Sequence, residues 1–162
     1  MPPKLLIAIV CLILAAGRAG AQVRIAEFVA RNSSGIVDAD GANSDWIELE
    51  NTGAGAVNLS GWHLTNQAAV PMLWTLPAVT LPAGGRLVVF ASGKNRVNPA
   101  AELHTNFTLN GDGDYLALFQ PGGAIVASQF APAYPVQRAD FSFGVARNVT
   151  EDRPLTPTSA GK

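Results

Sequence analysis

The chain reads as all-β: an antiparallel two-sheet sandwich of about nine or ten short strands. Three observations carry this reading. From Val23 onward the apolar residues alternate over short runs, without the three-to-four-residue spacing of an amphipathic helix. The 162 residues include 16 Gly and 11 Pro, and these, with Asn, punctuate the runs as turns. Self-similarity at a period of about 20 to 50 residues is missing, which excludes a solenoid or propeller.

The N-terminal stretch stands apart from this pattern. Lys4 precedes an unbroken apolar run from Leu5 to Ala16, and Ala19-Gly20-Ala21 offers the small residues that a signal peptidase reads. The run is roughly 12 residues long, where a spanning helix needs about 20. Residues 1–21 are read as a cleaved secretory signal in preference to a membrane anchor, 22–146 as the folded domain and 147–162 as a polar, Pro-rich tail. The expected location is secreted or cell envelope, with membrane contact only through the signal. Cys11 is the only cysteine, so the exported domain has no disulfide and must hold together by burial. Lys4 and Arg18 leave with the signal, and nine Lys+Arg then face twelve Asp+Glu, a balance of −3. A mildly acidic surface without a basic cluster argues against a nucleic-acid partner.

The strands follow in order. Val23 to Arg31 alternates, less regularly at Phe28-Val29, and ends in the turn Asn32-Ser33-Ser34-Gly35. Trp46 to Asn51 sends Ile47 and Leu49 to one face and Trp46, Glu48 and Glu50 to a wet one. Val57–Leu59 and Trp62–Thr65 are expected to continue that sheet, with a bulge or tight bend at Ser60-Gly61. Met72–Leu76 and Val79–Leu81 are short strands bracketed by Pro71, Pro77 and Pro82, which favour edges. Arg86 to Ala91 holds Leu87-Val88-Val89-Phe90 consecutively, the pattern of a strand buried on both faces. Ser92 to Leu103 is a polar surface connection. His104–Leu109 is a short strand, and Asn110-Gly111-Asp112-Gly113 turns the chain into Asp114–Gln120. Pro121-Gly122-Gly123 closes a hairpin with Ala124–Phe130, and Phe141–Gly144 is the last strand.

These blocks, taken in order, resemble the lamin tail domain family in its bacterial exported branch. The resemblance rests on Ile25-Ala26-Glu27-Phe28, Ser44–Asn51, Asn58–Thr65, Leu73-Trp74-Thr75-Leu76-Pro77, Leu81–Asn95, Leu103–Leu109, Asp114–Phe119 and the closing Pro157–Lys162. It implies an immunoglobulin-like sandwich and a non-catalytic module for attachment or recognition. No heptad rod, prenylation box or nuclear localisation run accompanies it, so filament assembly and nuclear partners are not carried over.

Asp38-Ala39-Asp40-Gly41 invites a calcium reading, because hard cations take several oxygens from one loop. An EF-hand frame from Asp38 fails: its sixth position is Asn43 in place of Gly, and its twelfth is Leu49 in place of Glu. A looser calcium site of Asp38, Asp40 and Asp45 is the alternative to a plain Asx-rich loop, which is preferred. No other cofactor is expected. His63 and His104 have no metal-ligand spacing, the serines lack a G-x-S-x-G elbow, and Glu48 and Glu50 share one strand face where glycosidase carboxylates must oppose each other. No catalytic residue is expected. Trp46, Trp62 and Trp74 are read as core residues before a carbohydrate or peptide platform, and the Asn-x-Ser/Thr triplets at Asn32, Asn58, Asn106 and Asn148 as turn chemistry.

The expected function is an exported binding or attachment module whose partner is a protein or a cell-envelope polymer. It would present the loops Asn32–Asn43, Ser92–Leu103 and Ala131–Arg138, or an open sheet edge. The alternatives are an accessory domain of an exported hydrolase or nuclease, and a calcium-dependent adhesion module.

Overall fold

The structure, a computed structural model, describes residues 22–145. Eleven strands occur there: β1 (Val23–Val29), β2 (Trp46–Asn51), β3 (Val57–Asn58), β4 (His63–Thr65), β5 (Trp74–Thr75), β6 (Thr80–Leu81), β7 (Arg86–Phe90), β8 (Leu103–His104), β9 (Leu116–Phe119), β10 (Val126–Phe130) and β11 (Phe143–Gly144). They form a five-stranded sheet in the order β11-β1-β2-β7-β8, a four-stranded sheet β10-β9-β4-β5 and a ribbon β3-β6. All pairs are antiparallel except β7 with β8. No helix occurs among the described residues, so none there is long and apolar enough to cross a membrane. The signal and tail expected at 1–21 and 147–162 lie outside the described residues.

Burial explains the strands. In β2, Ile47 and Leu49 are fully buried while Trp46, Glu48 and Glu50 are half-buried on the outer face. In β1 the register slips between Ile25 and Glu27, and this bulge adds one residue, so that Ile25 and Phe28, three apart, both reach the core. That slip is the origin of the irregular pattern at Phe28-Val29. Phe28 anchors an aromatic cluster with Phe130, Tyr134 and Phe143 at centroid distances of 5.1, 4.6 and 5.8 Å. Strand β9 lies between β10 and β4 with all four residues buried, as its apolar run requires.

Three expectations need correction. Trp46–Asn51 and Trp62–Thr65 do not share a sheet: β2 joins the five-stranded sheet and β4 the four-stranded one, with Gly61 at φ 76° in the turn before β4. Between them residues 52–56 lead into β3, which also leaves the sheet of β2 and pairs with β6 in the ribbon. Strand β7 is buried on both faces only at Val89 and Phe90: Leu87 and Val88 are half-buried, and Arg86 is exposed and paired with Glu48 and Glu50. The strand expected at His104–Leu109 is only Leu103–His104, followed by an isolated bridge from Thr108 to Ser92. Thr105 N–H still donates to the Phe90 carbonyl at 2.9 Å, and beyond it the chain turns, with the Thr105 hydroxyl donating to the Phe107 carbonyl at 2.5 Å.

Candidate functional site

Strand register places three connections together. Val29, Trp46 and Phe90 are opposite one another, so the loops leaving β1, entering β2 and leaving β7 share one end of the five-stranded sheet. Phe143 of β11 pairs with Phe28, which brings the segment before β11 to the same end.

The loop between β1 and β2 is built on Asn32. Its amide nitrogen donates to the carbonyls of Ile36 and Ser44 at 2.7 and 2.8 Å, and its amide oxygen accepts from Gly35 N at 2.9 Å. Asp38 has a fully shielded carboxylate. One of its oxygens accepts from the backbone of Asp40 and Ala42, and the other from Ser44 Oγ at 2.7 Å and Lys94 Nζ at 2.5 Å. Lys94 Nζ also donates to Asp40 at 2.7 Å, and Arg96 forks onto both Asp40 oxygens at 3.1 and 2.7 Å. The Lys94 ammonium holds the Asp38 carboxyl well below the usual carboxylate range, and Arg96 followed by Lys94 does the same for Asp40.

The third loop is tied in by Asp140. Its carboxylate accepts from Ser33 N, Ser34 N and Ser34 Oγ at 2.6, 2.9 and 2.8 Å, and its own N–H donates to the Arg31 carbonyl. These bonds to Ser34 and Ser33 pull its pKa down. Around the polar frame stand the exposed apolar side chains Ile36, Val37, Val97, Val136 and Phe141, the last with the Arg138 guanidinium 4.5 Å from its ring centre.

The three carboxylates considered for calcium are thus separated in role. Asp38 and Asp40 converge, but on Lys94, and their oxygens are engaged by protein donors. Asp45 instead accepts from Asn32 N at 2.9 Å, and burial pushes its carboxyl up. Among the described residues no group of three or more His, Cys, Asp or Glu side chains is placed to hold a metal ion. A divalent ion bound between Asp38 and Asp40 would have to displace Lys94.

His104 is fully buried beneath the loop after β7. Its ring stacks on Phe90, its Nδ1 lies 2.8 Å from Ser92 Oγ, and its Nε2 is 3.8 Å from Glu102 without a hydrogen-bond partner. Ser92, His104 and Glu102 are types that could transfer an acyl group, but a nucleophile and its base must meet a substrate. Here the imidazole is 0% exposed, Ser92 Oγ accepts from Lys94 N, and Glu102 accepts from Ala39 N at 2.6 Å. Burial, with Lys94 and Arg96 nearby, lowers the His104 pKa and keeps the ring neutral. His63 lies apart, its Nδ1 3.0 Å from Thr75 Oγ1.

Of the other residues singled out, Trp62 and Trp74 are core and Trp46 is half-buried on the outer face of β2. Glu48 and Glu50 are held by Arg86, and Glu50 also by Arg24 at 2.8 Å. Burial raises the Glu48 pKa, whereas the Arg24 hydrogen bond lowers that of Glu50. Asn32 and Asn58 act in turns, Asn58 accepting from Ser60 N, and Asn106 donates to the Leu73 carbonyl; Asn148 lies outside the described residues. Sequence reasoning missed Lys94, Arg96 and Asp140 as the residues that join the loops. Their partners are 54 to 107 residues away, and no local pattern marks them.

A largely antiparallel two-sheet sandwich with cross-linked loops at one end defines an immunoglobulin-like module. The family model of the Lamin Tail Domain matches residues 16–131, and the chain belongs to that family. No curated protein matches the chain.

Proposed function

We propose that this lamin tail domain is an exported bacterial module that binds a cell-envelope polymer or protein through the surface where its three loops meet. The observation that carries the reading is the frame itself. Asp38, Asp40 and Asp140 use their charges on Lys94, Arg96 and backbone N–H groups, so the frame is internally satisfied while Ile36, Val37, Val97, Val136 and Phe141 face outward. Rigid loops that expose apolar side chains bind at a low ordering cost. The export part rests on Leu5–Ala16 followed by Ala19-Gly20-Ala21 and on the absence of cysteine after Cys11.

The test is co-sedimentation of the protein with purified peptidoglycan and with solubilised envelope protein, beside a Val37→Asp/Val97→Asp/Phe141→Asp variant. Retention of the parent and loss of at least tenfold in the variant, at an unchanged melting midpoint, supports the reading. Equal retention of both removes the loop surface as the binding face. N-terminal sequencing of the exported protein is expected to begin at Gln22.

A further inference from the structure

The edges of the two sheets are not equally protected. Strands β11, β8 and β5 are each two residues long; β8 is bridged at His104 by Arg96, and the residue before β5 has its carbonyl taken by Asn106. The remaining edge strand, β10, has five residues, and among the described residues β9 is its only partner. An edge of this length offers its free N–H and C=O groups to any extended strand, and proteins usually blunt such an edge with lysine, proline or inward charge. None of these occurs between Val126 and Phe130. The neutrality extends further: from Leu116 to Gln137 the sequence has no Asp, Glu, Lys, Arg or His, although 14% of the chain is Asp, Glu, Lys or Arg.

Exposed apolar side chains adjoin the strand. Ile125 is 58% and Val126 41% exposed, and Met72, at 55%, lies against Gly123 in the turn that leads into β10. A bulge between Val126 and Ser128 is the only blunting device, and it leaves Ser128, Gln129 and Phe130 in regular register with Leu118, Ala117 and Leu116.

We infer that β10 is a self-association edge: two copies pair β10 antiparallel across a two-fold axis near Ser128, joining their four-stranded sheets into one. The occupant is a second copy because of charge. Residues 22–162 have a balance of −3, so two copies repel except where neither presents charge, and this hairpin is such a surface. A cationic or anionic partner would gain nothing here, whereas a strand of identical chemistry meets itself without an unpaired charge.

The protein to test is the exported form of the proposed function, residues 22–162. Sedimentation equilibrium from ~10 μM to ~1 mM is expected to show a monomer–dimer equilibrium, in the weak range of small interfaces. Val126→Lys/Gln129→Lys is expected to weaken the dimer at least tenfold with an unchanged melting midpoint, because it places like charges across the axis. Oxidation of Ser128→Cys is expected to yield a covalent dimer, since a disulfide requires Cα atoms within about 7 Å, while Thr80→Cys on β6 stays monomeric. A parent that is monomeric at ~1 mM overturns the inference. So does a dimer indifferent to the two lysines, or one that Ser128→Cys fails to trap.

Discussion

The Asp38 carboxylate and the Lys94 ammonium, 56 residues apart in sequence, lie 2.5 Å from each other, and the bond between them fastens the loop after β7 to the loop before β2. Asp38 is the better anchored partner, because Ser44 Oγ and the N–H groups of Asp40 and Ala42 also converge on it. Asp38→Ala removes the acceptor of all four donors and is expected to cost on the order of 2–4 kcal/mol in urea denaturation. Lys94→Met leaves the carboxylate three of its donors and is expected to lower the melting midpoint by less. If Lys94→Met proves the more damaging of the two, the loop is held by the ion pair rather than by the Asp38 cap.

The same geometry makes a prediction for calcium. Lys94 and Arg96 supply the positive charge to Asp38 and Asp40, and a ligand that binds only the native state must raise its stability. Millimolar calcium and a chelator are expected to give melting midpoints within about 1 °C of each other. A rise of several degrees with calcium would mean that the ion displaces Lys94, and would restore the Asp38, Asp40 and Asp45 site.

Stability is expected to fall toward acid in two stages. The pKa values of His63 and His104 are depressed by burial, so their contribution is present above about pH 6.5 and is lost as pH falls below it, when the unfolded chain takes up protons first. Asp38, Asp40, Glu50 and Asp140 are also held low, by Lys94, Arg96, Arg24 and the Ser34 backbone respectively; their contribution is present above about pH 4 and is lost below it. Asp45 and Glu48, raised by burial, act in the opposite sense and soften the second stage. Around His104 stand Lys94, Arg96, Asp38 and Glu102, the first two opposing its protonation and the last two favouring it. Urea denaturation between pH 5 and 7 checks the first stage: His63→Gln/His104→Gln is expected to flatten it, and an undiminished slope would move its origin elsewhere.

Much of this architecture is legible wherever burial alternates locally. Ile47 and Leu49 against Glu48 and Glu50, the wholly apolar Leu116–Phe119, and the Asn110–Gly113 turn all place themselves by period and turn chemistry. What stays hidden is non-local. The bulge at Ala26 depends on the register with β2, the assignment of β2 and β4 to different sheets depends on layer packing, and Asp38 acquires its role from a lysine on a distant loop. The Asp38/Asp40 pattern marks a charged loop correctly, but the cation it meets is a side chain, which no spacing within that loop encodes.

The core extends beyond the stretch that the family model covers. Tyr134 is 2% exposed, packs against Phe28 at 4.6 Å, and grips the backbone of Asn110 from both sides: its hydroxyl accepts from Asn110 N at 3.1 Å and donates to Asn110 O at 3.0 Å. Gly113 makes room for this approach, since a Cβ there would lie 2.7 Å from the Tyr134 carbonyl. Tyr134→Phe keeps the ring but removes the acceptor of Asn110 N–H and leaves the Asn110 carbonyl only its bond from Gly113 N–H, and is expected to cost about 1–3 kcal/mol. Burial pushes the Tyr134 hydroxyl up to about 12, so its contribution is present below pH 10 and is lost as the pH rises from 10 toward 12, where the unfolded chain ionises first. Denaturation at pH 8 and pH 11 separates these effects: Tyr134→Phe should be weaker than the parent at pH 8, with the gap narrowing at pH 11. A gap unchanged with pH would leave the loss to packing, and the hydroxyl would have no part in holding the Asn110 turn.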